Sequence, residues 1–153
     1  MQTYQLDVKT AFLNGNLQHE VYMRLPDGSL VHLKKSLYGL KQSPREWNFV
    51  FDHFMKENSF IRGNPDWCVY LMGDNTTAVI VALYVDDIIV TGSDKNGINA
   101  TMKLLRERFE MTGGEELQWF LKIRITRNRA LRMVQVDQSH YLHEVLTRFD
   151  MAH

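Results

Sequence analysis

The chain has 153 residues, 44% of them hydrophobic, which is enough for one domain with a real core, and its 18 Lys+Arg against 18 Asp+Glu leave no net charge to nominate or exclude a polyanionic partner. The single cysteine, Cys68, rules out an internal disulfide and zinc ligation by paired cysteines. No apolar run reaches the roughly 18 to 20 residues of a membrane span, and Met1-Gln-Thr-Tyr lacks the regions of a signal peptide, so an intracellular, non-secreted protein without a membrane partner is expected.

In chain order, "TYQLDV" reads as a short strand with Asp7 near its end, closed by a turn in "AFLNGN". "EVYMRL" and "LVHLKK" alternate in period two around "PDGS", which predicts a hairpin. From Ser43-Pro44 the period changes: Trp47, Val50, Phe51, Phe54 and Met55 recur at three and four, predicting a helix capped by Ser43, with Pro44 at its first position and its end near Asn58. "WCVYLM", "TAVIVALYV" and "IIVTG" are three strand runs, the first two separated by "GDNT", and they predict the sheet centre. "SDKNGINATMKLLRERF" opens on a cap-like Ser-Asp and carries Ile98, Met102, Leu105 and Phe109 on one helical face. "LQWFLKIRI" and "LRMVQV" predict a second hairpin around "RNRA". Ser139 to Met151 then predicts a last helix with Tyr141, Leu142, Val145, Leu146 and Phe149 inward. Such segregated strands and helices argue for an α+β fold with a largely antiparallel sheet and helices on one face.

"LYVDDIIV" sets two carboxylates in one of the most apolar runs, where an unpaired buried charge costs several kcal/mol. One reading is a tight hairpin turn with Asp86 and Asp87 in it, since Asp bonds its own backbone there. The other adds Asp7 from a neighbouring strand: converging carboxylates make the oxygen-rich site that Mg²⁺ prefers, and paired metals clamp both oxygens of a phosphoryl displacement. Lys122, Arg124, Arg127, Arg129 and Arg132 form a run without an acid, either a solvated strand face or a surface for nucleic-acid phosphates. His140 and His143 lack a third ligand at suitable spacing and read as helix-surface residues.

"QLDVKTAFLNG", "LKKSLYGLKQSPREW", "DWCVY", "LYVDDIIVTGS", "RFEM" and "HYLHEVLTRFDM" follow one another in this order, and together they resemble the reverse transcriptase of copia-type LTR retrotransposons. The resemblance spans nearly all of residues 1–153 and implies a polymerase palm with part of the fingers connection, within a Pol polyprotein. It implies that Asp7, Asp86 and Asp87 are catalytic and bind two Mg²⁺ ions, with Mn²⁺ as a substitute, and that the partners are an RNA template, a DNA primer and a deoxynucleoside triphosphate. It places Phe12 as an aromatic gate against a ribose 2′-hydroxyl, beside the plainer reading of a core Phe. Tyr38, Gly39 and Lys41 fall in the nucleotide-binding block, and Tyr84 either near the primer end or as an ordinary strand residue. Lys122, Arg124, Arg127 and Arg129 occupy the place of the primer grip. A cytoplasmic virus-like particle or the nucleus is the implied setting.

Departures from the family pattern temper the expected activity. The upstream fingers segment, the thumb and the RNase H region are expected to be absent from this chain. The connection before "LVHLKKSLYG" is short, and His32 stands where many members have Cys. Thr112-Gly113-Gly114 replaces Asp-Leu-Gly after "RFEM", and Lys122 replaces a glycine. Three readings follow: polymerase chemistry as part of a larger Pol protein, an inert palm remnant, and a binding module that reuses the palm. The isolated chain is expected to extend a primer inefficiently and, with sheet edges exposed, to aggregate or depend on a partner.

Overall fold

The computed structural model describes residues 1–74 and 76–152, so Asn75 of the "GDNT" connection lies outside the described residues. It falls into two compact units, Met1–Glu115 and Glu116–His153.

The first unit is built on a six-stranded sheet in the order β4-β5-β6-β7-β1-β8. Its strands are β1 (Gln2–Val8), β4 (Ile61–Arg62), β5 (Val69–Met72), β6 (Val79–Tyr84), β7 (Asp87–Gly92) and β8 (Met111–Glu116). The successive pairings β4–β5, β5–β6, β6–β7 and β7–β1 are antiparallel. Register sorts the side chains. Leu6 faces Ile88, which faces Leu83, and Val90 faces Val81, and all of these are buried. The alternate set, Gln5, Asp7, Asp87, Ala82 and Tyr84, therefore projects from the opposite face, because side chains alternate along a strand.

The two helices of this unit cover only the apolar face. Helix α1 (Ser43–Glu57) contributes Trp47, Phe51 and Met55, and α2 (Lys95–Arg108) contributes Ile98, Met102 and Leu105 to one cluster with the strand residues, with Phe109 just past the end of α2. Rings interlock there: Phe109 lies 5.2 Å from Trp47 and 5.9 Å from Phe51, centroid to centroid. The face expected for α2 is the one buried, and Asp94 caps that helix by accepting from the Asn96 and Gly97 amides. At α1 the cap is displaced by one residue. Gln42 occupies the N-cap position, while the Ser43 hydroxyl donates to the Leu37 carbonyl at 2.5 Å and so is not available to cap.

Strands β2 (Asn16–Arg24) and β3 (Leu30–Lys35) form the expected hairpin as a separate two-stranded sheet. Its turn is closed by Asp27, whose carboxylate accepts from the Ser29 amide and hydroxyl, and by Gly28 at φ 86°. A 3-10 turn, Ala11–Asn14, follows β1 where a plain turn was expected.

The second unit carries β9 (Trp119–Phe120), β10 (Ile123–Asn128), β11 (Met133–Asp137) and α3 (Ser139–Arg148). "LQWFLKIRI" is not one strand. A two-residue turn at Leu121-Lys122, with φ of 50° and 65°, splits it, and β9 folds back on β10 so that Phe120 faces Ile123. Helix α3 corrects a second expectation. None of its residues is buried: Tyr141, Leu142 and, just beyond the helix, Phe149 are exposed, and Val145 and Leu146 are only half-buried.

Candidate active site

The β6–β7 hairpin turns through Val85 and Asp86, with Tyr84 paired to Asp87. The expected placement of both carboxylates in the turn is thus half right: Asp86 is in it, and Asp87 is the first residue of β7. Val85 has φ 57° and Asp86 does not share that sign, the pattern of a hairpin turn that ordinarily begins with glycine. A β-branched residue there is strained, by about 1–3 kcal/mol. Two bonds hold the turn in place. The Trp47 indole N–H donates to the Val85 carbonyl at 2.6 Å, and the Val8 amide donates to the Asp86 carbonyl at 2.8 Å. The sequence reading counted Trp47 only as core; the signal it passed over is that a buried indole needs an acceptor.

Register places Asp7 of β1 directly opposite Asp87 of β7, with Tyr84 on the far side of Asp87. Like charges face to face across a strand pair destabilise a sheet. The Asp7 carboxyl accordingly sits above its ordinary pKa, raised first by burial and then by the charges of Asp86 and Asp87, against an opposing hydrogen bond from the Thr112 side chain. One neutral donor reaches Asp87: the Gln5 side-chain amide, at 2.8 Å from Oδ1. Among the described residues, no Lys, Arg or His stands within ion-pair distance of any of the three carboxylates.

The set is all oxygen, anionic and partly shielded from water, the donor chemistry of a hard divalent cation. The side chains are not drawn into a finished cage, since among the described residues no three His, Cys, Asp or Glu side chains converge closely enough to hold an ion. In kind of ligand and in mutual repulsion the residues fit a bound cation.

Around the carboxylates the structure brings together part of the expected nucleotide block. Phe12 is 9% exposed and belongs to the core, as its plainer reading held, yet its ring also lies 4.5 Å from that of Tyr38. Tyr38 is 54% exposed, and its hydroxyl end is near Asp86. Local burial first, then the Asp86 charge, push that hydroxyl above its usual pKa, with a counteracting hydrogen bond to the Ala11 backbone. Gly39 has φ 94° with nothing within 4 Å of where a Cβ would stand, so backbone sign and not crowding requires glycine. Lys41 is exposed at the approach to α1, and Tyr84 is 55% exposed on the open face. The site residues that sequence reading missed are Gln5, Trp47 and Thr112. Gln5 had a signal, since it precedes Asp7 by two positions and so shares its face of the strand.

In the second unit Lys122, Arg124, Arg127 and Arg129 are all exposed on or beside β10. Two are tied to acids, Lys122 to Glu144 at 3.8 Å and Arg129 to Glu116 at 2.5 Å, leaving Arg124 and Arg127 without an ion pair among the described residues. His140 and His143 are exposed, as expected. No described helix is long and apolar enough to cross a membrane.

Comparison with known proteins adds a wider frame. The family model described as reverse transcriptase (RNA-dependent DNA polymerase) matches residues 1–153. Over 160 residues the chain is 40% identical to the retrovirus-related Pol polyprotein from transposon TNT 1-94 of Nicotiana tabacum, covering 99% of this chain and 12% of that protein. It is 34% identical over 155 residues to the Pol polyprotein from transposon RE1 of Arabidopsis thaliana, covering 96% of this chain and 10% of that protein. A transposon Ty1 Gag-Pol polyprotein of Saccharomyces cerevisiae is 31% identical over 112 residues, which cover 69% of this chain and 6% of that protein. The chain therefore spans a small part of the length of these relatives.

Proposed function

The chain belongs to the reverse transcriptase (RNA-dependent DNA polymerase) family and is similar to a segment of retrotransposon Pol polyproteins, and on that premise we propose that Asp7, Asp86 and Asp87 carry metal-dependent nucleotidyl transfer. The substrates are a DNA primer on an RNA template and a deoxynucleoside triphosphate. The observation that carries this reading is the direct pairing of Asp7 with Asp87, beside Asp86, on the open face of a sheet where, among the described residues, no basic side chain pairs with them. Folding alone gains nothing from three mutually repelling acids, so their clustering points to a ligand.

Two Mg²⁺ ions, or Mn²⁺ in their place, would when bound supply the positive charge that activates a primer hydroxyl and steadies a triphosphate. The chain's own part is placement. The Trp47 and Val8 bonds fix the Val85-Asp86 turn, and the β1–β7 register sets Asp7 against Asp87. The Phe12–Tyr38 ring pair borders the acids on the side proposed for the nucleotide, with Gly39 and Lys41 following in sequence. One helix-covered face and one open, acidic face support a polymerase palm. Arg124 and Arg127 are proposed to meet primer phosphates.

Residues 1–153 by themselves are expected to extend a primer poorly. A triphosphate needs cationic side chains in addition to its metals, and among the described residues none meets the carboxylates. The test is a chimaera in which this chain replaces the matching segment of the tobacco relative, assayed for extension of a DNA primer on RNA with Mg²⁺. Extension reduced more than about 100-fold by Asp86→Asn supports the assignment. Extension that is indifferent to Asp86→Asn overturns it.

A further inference from the structure

We propose that Gln5 is a positioning residue for Asp87, holding that carboxylate in the orientation in which it receives a divalent cation; this rests on the metal-dependent reading above. The geometry is a single bond, from Gln5 Nε2 to Asp87 Oδ1 at 2.8 Å, between side chains that share the open face of the sheet. The two residues are diagonal neighbours, Gln5 standing opposite Ile89 while Asp87 stands opposite Asp7. One Asp87 oxygen is thereby engaged and the other left for a ligand, and the carboxylate loses rotational freedom before any ligand arrives.

The identity of the donor matters as much as its position. A Lys or Arg at residue 5 would also anchor Asp87, but it would cancel the negative charge that attracts a cation. An amide orients without neutralising. A role confined to holding β1 on β7 is poorly motivated, because the antiparallel ladder already pairs these strands without a break in register from Gln2–Gly92 to Asp7–Asp87. Outer partners of metal-binding carboxylates typically change metal affinity 10- to 100-fold when removed.

The experiment measures Mn²⁺ binding to the 153-residue chain by the electron paramagnetic resonance signal of free Mn²⁺, for wild type, Asp87→Asn, Gln5→Met and Gln5→Asn. Gln5→Met keeps the length and removes the donor. Gln5→Asn keeps the amide but falls one methylene short, and it stands in if the Met variant fails to fold. Expected are saturable binding to wild type, its loss in Asp87→Asn, and weakening by about ten-fold or more in both Gln5 variants, with little change in unfolding midpoint. The metal-free protein supplies an independent readout: the side-chain amide resonances of Gln5 should shift in Asp87→Asn. If Asp87→Asn abolishes binding while both Gln5 variants bind as wild type does, the inference falls and the metal-site reading stands. If wild type does not bind, or binds unaffected by Asp87→Asn, the metal-site reading fails and takes the inference with it. A Gln5 that is merely structural would lower the unfolding midpoint and leave affinity unmoved.

Discussion

The unit Met1–Glu115 and the unit from Glu116 onward use the same kinds of pattern, alternating strands and an amphipathic helix, yet only the first turns them into burial. Every buried hydrophobic residue of the described chain lies between Leu6 and Phe109. In the second unit Met133, Val134, Val136, Leu142 and Phe149 are all exposed. Periodicity states which face of an element is apolar; it does not state whether the unit contains a second layer to cover it. Three strands, two of them longer than a pair of residues, and one ten-residue helix cannot enclose a core of their own.

The sharpest way to break this comparison is to truncate one side chain in each unit. Phe51 is fully buried among the rings of Trp47, Tyr70 and Phe109. Phe51→Ala should cost about 3–5 kcal/mol in denaturant unfolding. Leu142, by contrast, is 58% exposed, and Leu142→Ala should stay within about 0.5 kcal/mol. A comparable loss at Leu142 would mean that α3 buries its apolar face in solution and that the two units do not differ in kind.

A smaller effect separates two of the hairpins in which a non-glycine residue takes positive φ, β6–β7 and β9–β10. At Val85 the strain is held by bonds from Trp47 and Val8 to the turn's two carbonyls. At Leu121-Lys122 both residues are left-handed, and the turn belongs to the type whose preferred pair is Asn-Gly. Lys122→Gly should therefore stabilise the β9–β10 hairpin by about 1 kcal/mol, read as slower amide exchange at Ile123 and Ile125. Unchanged or faster exchange would show that the ion pair of Lys122 with Glu144 and its approach to the Tyr141 ring, 4.9 Å from the ring centroid, outweigh the backbone cost.

These two hairpins also show what could be read in the residues beforehand. Strand β1 was legible because Leu6 and Val8 alternate with Asp7, β6 and β7 because they are short apolar runs rich in β-branched residues, and α2 because Ile98, Met102, Leu105 and Phe109 fall on one face. The three carboxylates were legible because an acid in an apolar run demands an explanation. The break at Leu121-Lys122 was not, since neither residue is a turn former and the run around it is apolar enough for one strand. The cap of α1 slipped by one residue because the Ser43 hydroxyl found the Leu37 carbonyl, a tertiary partner that local propensity cannot register. The burial of α3 was overestimated for the reason given above, and Trp47's bond to Val85 joins residues far apart in sequence.

The last contrast is electrostatic. The first unit gathers uncompensated acid on a well-packed sheet, whereas the second spreads basic side chains over exposed strands and pairs two of them with acids. The folded-state pKa of Asp7 lies above its ordinary value of 3.8, raised chiefly by burial and then by Asp86 and Asp87. Between those two values the folded state binds more protons than the unfolded state, so stability falls as pH rises through that window, and the full penalty persists at neutral pH. Asp7→Asn should accordingly stabilise the metal-free chain at pH 7, by less than about 1 kcal/mol because the site is half-open to water, and the advantage should vanish below about pH 3.8, where Asp7 is neutral in both states. Arg127→Ala, on an exposed strand, should change stability at neither pH. Unfolding midpoints of both variants at the two pH values decide the matter. A stabilised Asp7→Asn protein that no longer binds Mn²⁺ would show stability given up at this position for a ligand, whereas a destabilised one would mean that the Thr112 bond to Asp7 outweighs the repulsion.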